Sequence, residues 1–120
     1  MDLIILAGGI GSRLKSVSKG IPKPLMPIGN NKFIDLLLDL VSKNNIKRIY
    51  FSLCYKPETF LEYFKSSKFR DIITPIIEPM PMGTGGAIKH VIENTDINNN
   101  FFVINGDTLS NTNLDQMWSD

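Results

Sequence analysis

Three glycines and an arginine follow directly on an apolar run in "DLIILAGGIGSRL", residues 2–14. Leu6 and Ala7 end the run, Gly8, Gly9 and Gly11 come next, and Ser12 and Arg13 close the loop. Backbone without Cβ atoms lets consecutive N–H groups converge on one anion, so this stretch reads as a cradle for phosphate oxygens. Arg13 carries the planar fork that grips phosphate bidentately. Two further glycine clusters share the pattern, Gly83-Thr84-Gly85-Gly86 and Gly106-Asp107. In "IPKPLMPI", Lys23 is held between Pro22 and Pro24. That stiff mount reduces the entropy lost when its ammonium is positioned on a polyphosphate. Asp107, just past the apolar "FFVIN", is placed to hold Mg²⁺ between phosphates. Each feature taken singly is also ordinary turn chemistry, helix capping or exposed surface; three glycine clusters behind three strands point to one shared ligand edge.

The first loop is not a dinucleotide fingerprint, because Leu14 stands where G-x-G-x-x-G needs its third glycine. The second strand ends in "LCYK", without the acid that would hold a ribose. Five basic residues, Arg13, Lys15, Lys19, Lys23 and Lys32, fall between Asp2 and Asp35 with no acid among them. This gathers positive charge around the loop, while a net charge of +1 gives no case for nucleic acid as a partner. The single cysteine, Cys54, has no disulfide or Cys-x-x-Cys partner and reads as a buried, inert thiol. His90, beside Lys89 on the polar side of its helix, reads as surface without a role. No apolar run approaches the ~18 residues of a membrane span and no leader pattern opens the chain, so a soluble, cytoplasmic protein with no membrane partner is expected.

The elements that must position these residues alternate between apolar runs and helix-period segments, the pattern of parallel β-α-β units. Strands are predicted at 2–7, 48–54, 72–78 and 101–105. "FIDLLLDLVSK" places Phe33, Leu37, Leu40 and Val41 on one helical face, with Asp35, Asp39 and Lys43 turned away. "PETFLEYFKSS" starts on Pro57 and buries Phe60, Leu61 and Phe64, while "GTGGAIKHVIEN" repeats Ala87, Ile88, Val91 and Ile92 at the same spacing. Residues 16–24 are too punctuated by proline and glycine to be regular, and 94–100 is a polar turn. The expected fold is one α/β domain over residues 1–120, a Rossmann-like three-layer sandwich with a mostly parallel sheet of strand order 3-2-1-4. In that order strands one and four are neighbours. The glycine loop and Asp107 then meet in a crevice at their carboxyl ends.

In order and spacing, "LAGGIGSRL", "PKPLMPI", "EPMPMGTGGAI" and "NGDT" resemble the nucleotidyltransferase family that activates sugar 1-phosphates. "PMGTGGAIK" and "FFVINGDT" are most similar to the heptose and mannose 1-phosphate guanylyltransferase branches. Thymidylyl- and uridylyltransferases share the framework, so the base stays open, with GTP favoured. The resemblance implies nucleotidyl transfer to a sugar 1-phosphate, giving a nucleotide sugar for cell-surface polysaccharide precursors, with pyrophosphate released. It implies that Leu6, Ala7, Gly8, Gly9, Gly11 and Ser12 bind the nucleotide, that Arg13 stabilises the leaving pyrophosphate, and that Lys23 contacts the phosphates at the reacting centre. It further implies that Gly83, Thr84 and Gly85 face the nucleotide and Gly86 the sugar, and that Asp107 binds Mg²⁺ and both substrates. Ser12 stands where the family usually has threonine and keeps the hydroxyl.

The chemistry fits these residue types independently. A sugar 1-phosphate, with a second pKa near ~6, is anionic near neutrality and attacks phosphorus without a protein base, so positioning and charge neutralisation suffice. The family's chains are longer, and their second metal-binding aspartate and sugar-binding lobe have no match here; Asp115 and Asp120 do not fit that second motif. The chain is therefore expected to be either the N-terminal part of a longer fold or a truncated product that binds nucleotide but turns over poorly. Leu114, Met117 and Trp118 form an apolar face that calls for cover within a longer chain or a homo-oligomer. A non-catalytic nucleotide-binding or subunit-interaction domain on the same fold remains the alternative.

Overall fold

The computed structural model describes residues 1–7, 23–98 and 100–106. Gly8, Gly9, Gly11, Ser12, Arg13, Asp107 and the Leu114–Trp118 face lie outside them. Four strands form the main sheet: β1 (Asp2–Leu6), β4 (Arg48–Leu53), β5 (Ile73–Ile77) and β6 (Phe101–Asn105). A small antiparallel hairpin of β2 (Pro27–Ile28) and β3 (Asn31–Lys32) precedes α1 (Phe33–Val41). The remaining helices are α2 (Pro57–Lys65) and α3 (Gly83–Asn94).

All pairings within the main sheet are parallel, and the order β5-β4-β1-β6 is the 3-2-1-4 arrangement expected from the sequence. Its connectivity dictates the layers. Steps from β1 to β4 to β5 run in one direction, so right-handed crossovers put α1 and α2 on one face; the return from β5 to β6 reverses direction and puts α3 on the other. The packing follows suit. Leu3, Ile5 and Phe51 are buried with Ile34, Leu38, Phe60 and Phe64 on the first face, and Ile4 and Tyr50 with Val91 on the second. Covered on both faces, β1 is apolar at consecutive positions rather than alternate ones.

Two helices are rotated from their sequence-predicted faces. In α1 the buried stripe is Ile34, Leu37, Leu38 and Val41, while Phe33 and Leu40 are only half-buried. In α3, Ala87 and Val91 are buried and Ile88 is half-buried, but Ile92 is 46% exposed, because this helix touches the sheet along a narrow seam. Phe60 and Phe64 are buried as expected in α2, with Leu61 half-buried. The segment expected to be irregular ends in a 3-10 turn over Lys23–Leu25 that sinks Leu25 into the core. Asp35 ties α1 to α2: Lys32 N–H donates to Oδ2 at 2.9 Å and the Tyr63 hydroxyl donates to Oδ1. On the outer flank, β5 carries the exposed Pro75 opposite Phe51.

Candidate functional site

Parallel strands bring all their carboxyl ends to one edge of the sheet, and the strand exits there are held by backbone hydrogen bonds. Ala7 N–H donates to Ser52 O at 2.9 Å, and Gly106 N–H donates to Leu6 O at 2.9 Å. A Cβ on Gly106 would lie 3.2 Å from Ile5 Cγ2, 3.3 Å from Leu6 O and 3.4 Å from Ala7 Cβ. Glycine is therefore what lets the β6 exit lie flat on the β1 exit. Ala7 and Gly106 immediately precede Gly8 and Asp107 in the chain, so both motifs depart from adjacent points. Leu25, two residues past Lys23, is buried in the same core cluster as Ala7.

The third motif starts at the same edge, because α3 runs back against the strand direction. Gly83 adopts φ +72°, a left-handed conformation that residues with a Cβ rarely take. The chain turns there into the helix, and Gly83, Thr84 and Gly85 are exposed at its start, where Met82 makes no side-chain capping bond and the first turn holds no acid. The first N–H groups of a helix lack partners within it and carry partial positive charge, so this end favours an anion. Gly86 is hemmed in: a Cβ there would lie 2.8 Å from Met82 Cβ.

Sequence reasoning gave no role to Glu78, which the structure places beneath this turn. Glu78 is only 6% exposed; its Oε1 accepts from Ser52 Oγ at 2.8 Å and its Oε2 from Met82 N–H at 3.1 Å. The one signal was an isolated acid in the apolar and proline-rich "IIEPMPM". Cys54, at the end of β4, is half-buried rather than buried; burial first, and then the charge of Glu78, push its thiol pKa up. A raised pKa leaves little reactive thiolate. His90 is also half-buried rather than plain surface, with Nδ1 enclosed and, among the described residues, without a hydrogen-bond partner. It lies one helical turn from the buried Ala87 and shares that flank.

Of the candidate residues, then, Leu6, Ala7, Gly83, Thr84, Gly85 and Gly86 lie on the carboxyl edge. Lys23 opens the 3-10 turn anchored by Leu25. Gly8, Gly9, Gly11, Ser12, Arg13 and Asp107 lie outside the described residues. No described helix is long and apolar enough to cross a membrane.

A parallel sheet in this order, with glycine-rich turns gathered where its strands end, defines a Rossmann-like α/β domain. The chain belongs to the nucleotidyl transferase family, whose model matches residues 3–120. It is 40% identical over 117 residues to a D-glycero-alpha-D-manno-heptose 1-phosphate guanylyltransferase of Campylobacter jejuni, covering 98% of this chain and 52% of that protein. It is 33% identical over 118 residues to a mannose-1-phosphate guanylyltransferase of Mycobacterium tuberculosis, covering 98% of this chain and 33% of the other. Among solved structures, HddC from Yersinia pseudotuberculosis complexed with GMP-PN superposes with a TM-score of 0.86 at 38% identity, over 98% of this chain and 52% of that one. The chain spans about half the length of the heptose 1-phosphate guanylyltransferases it matches, 52% of that of Campylobacter jejuni and 51% of that of Aneurinibacillus thermoaerophilus.

Proposed function

We propose that this chain supplies the nucleotide-binding half of a sugar-1-phosphate nucleotidyltransferase, with GTP and a heptose or mannose 1-phosphate as substrates. The observation that carries the reading is convergence: Ala7, Gly106 and the Gly83–Gly86 turn, each at the boundary of a motif, share one edge of the sheet. In the reaction, a phosphate oxygen of the sugar 1-phosphate attacks the α-phosphorus of the triphosphate. The bond from that phosphorus to the bridging oxygen breaks, and pyrophosphate leaves with its electrons.

The roles follow from charge and reach. Backbone N–H groups of Gly8, Gly9 and Gly11 receive phosphate oxygens, Arg13 neutralises the departing pyrophosphate, and Lys23 holds the reacting phosphates together. Gly83, Thr84 and Gly85 line the nucleotide and Gly86 the sugar. A hard carboxylate oxygen one peptide bond beyond Gly106, whose N–H is tied to Leu6 O, suits Mg²⁺, so Asp107 is the residue to hold it. Bound there, Mg²⁺ supplies charge neutralisation on the phosphates. The guanine preference is supported by the similarity to two guanylyltransferase types and to a structure holding GMP-PN. The compartment that supplies nucleoside triphosphates is the cytoplasm, where we place the protein.

The test is pyrophosphate release with each nucleoside triphosphate against heptose, mannose and glucose 1-phosphates, beside a binding titration. GTP with Mg²⁺ is expected to bind most tightly and to give the fastest release. Lys23→Ala and Asp107→Ala are each expected to remove turnover with unchanged melting. Failure of every triphosphate to bind refutes the reading, and undiminished turnover in both variants refutes the site.

A further inference from the structure

Asn105, exposed at the end of β6, is the only asparagine in the chain that is followed by a glycine. An asparagine carboxamide is open to attack by the main-chain nitrogen of the next residue, most readily where that residue has no Cβ to hinder the approach. The Gly106 nitrogen forms a bond to Asn105 Cγ and the Cγ–Nδ2 bond breaks. Nδ2 leaves as ammonia, taking that electron pair and the Gly106 proton. Water then opens the cyclic imide. Cleavage at Cγ gives aspartate, and cleavage at the main-chain carbonyl gives isoaspartate, whose backbone runs through Cβ.

The fold both requires this glycine and restrains it. A Cβ on Gly106 would press on Ile5 Cγ2 and Leu6 O, so no bulkier residue fits there to slow the reaction. In the folded chain Asn105 is paired with Leu6 in the parallel register, and Gly106 N–H donates to Leu6 O at 2.9 Å. Extended backbone turns the following nitrogen away from the side chain. Attack therefore needs rotation about the Asn105 Cα–C bond, which breaks the bond to Leu6 O and lifts the exit off β1. β6 is the strand best able to do this. Phe101, Phe102, Val103 and Ile104 are only half-buried, whereas β1 and β4 are buried at most positions, and segments with few fully buried side chains open locally at least cost.

We propose that Asn105 is a deamidation site of the native chain, reached when the end of β6 lifts from β1, and that its conversion to isoaspartate weakens nucleotide binding at this edge. The second half rests on the nucleotidyl-transfer reading above; the first does not. Isoaspartate inserts an extra methylene into the main chain between a residue paired with Leu6 and the glycine fitted against Ile5. Asn105→Asp carries the same added charge at normal backbone spacing, so it separates charge from displacement.

The experiment ages wild type, Asn105→Gln, Val103→Ala and Phe60→Leu at mildly alkaline pH, native and in urea. Conversion is mapped by peptide mass spectrometry, and isoaspartate is read by enzymatic methylation. Conversion is expected at Asn105, to be lost in Asn105→Gln, and to run at least about tenfold slower in the native wild type than in urea. Val103→Ala trims a half-buried side chain of β6 in register with Ile4 and should speed native conversion about fivefold. Phe60→Leu, a core change in α2 on the opposite face, should leave it within about twofold. Equal native and urea rates overturn the proposal, as does a native chain that stays unconverted while the urea sample converts. So does equal acceleration by both core substitutions, since global unfolding would then be the route. Isoaspartate-bearing chain, separated by ion exchange, is expected to bind GTP with Mg²⁺ at least about tenfold more weakly than fresh chain, with Asn105→Asp within about threefold. Equal affinity in aged and fresh chain overturns the second half. Fresh wild type that binds no triphosphate refutes the function and the second half with it, and the conversion rates then still decide the first.

Discussion

Replacing Gly85 with alanine separates what the fold asks of that position from what a ligand asks of it. In the folded chain an added Cβ at Gly85 meets nothing within 4 Å, and its backbone is not in the left-handed region. Gly85 is the third residue of α3, where glycine carries a conformational penalty of about 0.5–1 kcal/mol relative to alanine. Gly85→Ala is therefore expected to stabilise the protein by that amount, a rise of roughly 2–4 °C in melting temperature for a chain of this size. The nucleotide should report the opposite. A methyl group on an exposed amide turn occupies the space in which phosphate or ribose approaches bare backbone, so GTP affinity is expected to fall about tenfold, or about 1.4 kcal/mol. The assay pairs a thermal melt without ligand with a titration of GTP and Mg²⁺. A higher melting temperature with unchanged GTP affinity would refute the reasoning, for it would leave that glycine with no ligand to make room for.

Gly106→Ala should behave differently, since its Cβ would press on Ile5 Cγ2 at 3.2 Å and Leu6 O at 3.3 Å. A loss of about 1–2 kcal/mol is expected in urea unfolding, together with weaker Mg²⁺-dependent GTP binding as the β6 exit shifts. Tyr63→Phe removes the hydroxyl that donates to Asp35 and should cost about 1 kcal/mol. Burial, then the bond to Asp35, push the Tyr63 pKa up, so the folded chain holds that proton longer than the unfolded one. This contribution is complete below the ordinary tyrosine pKa of about 10 and declines as pH rises above it. Urea midpoints at pH 8 and pH 11 should show a smaller alkaline loss in Tyr63→Phe than in wild type; equal losses would contradict the assignment.

Much of this architecture is legible from residues close together in the chain. Leu3, Ile4 and Ile5 are consecutive and apolar, which marks a central strand covered on both faces, and the crossover rule then leaves few orders for four strands. The places of Gly83–Gly86 and Gly106 at the carboxyl edge were equally legible, because both follow predicted strands. The phase of α1 was not. Leu36, Leu37 and Leu38 are identical in type, so periodicity cannot choose between a face through Phe33 and Leu40 and one through Ile34 and Leu38. The exposure of Ile92 depends on how α3 seats against the sheet, which its own sequence does not state. The β2–β3 hairpin is too short to carry a pattern. The pairing of Ser52 with Glu78 spans 26 positions and exists because the parallel register sets Leu53 opposite Ile77, a relation invisible to any local window.

Pro75 gives the sheet a direction of growth. Ile49 N–H donates to Ile72 O and Glu78 N–H to Leu53 O, so residues 72, 74, 76 and 78 turn their backbone groups inward to β4. Pro75 therefore falls on the outward-facing set, at the middle of an edge that no described strand covers, where its ring replaces the hydrogen a neighbouring strand would need. β6 has no such interruption in "FFVIN". A strand arriving from elsewhere meets a broken ladder beside β5 and an intact one beside β6. Among the described strands, the sheet is sealed to a newcomer beside β5 and extendable beside β6.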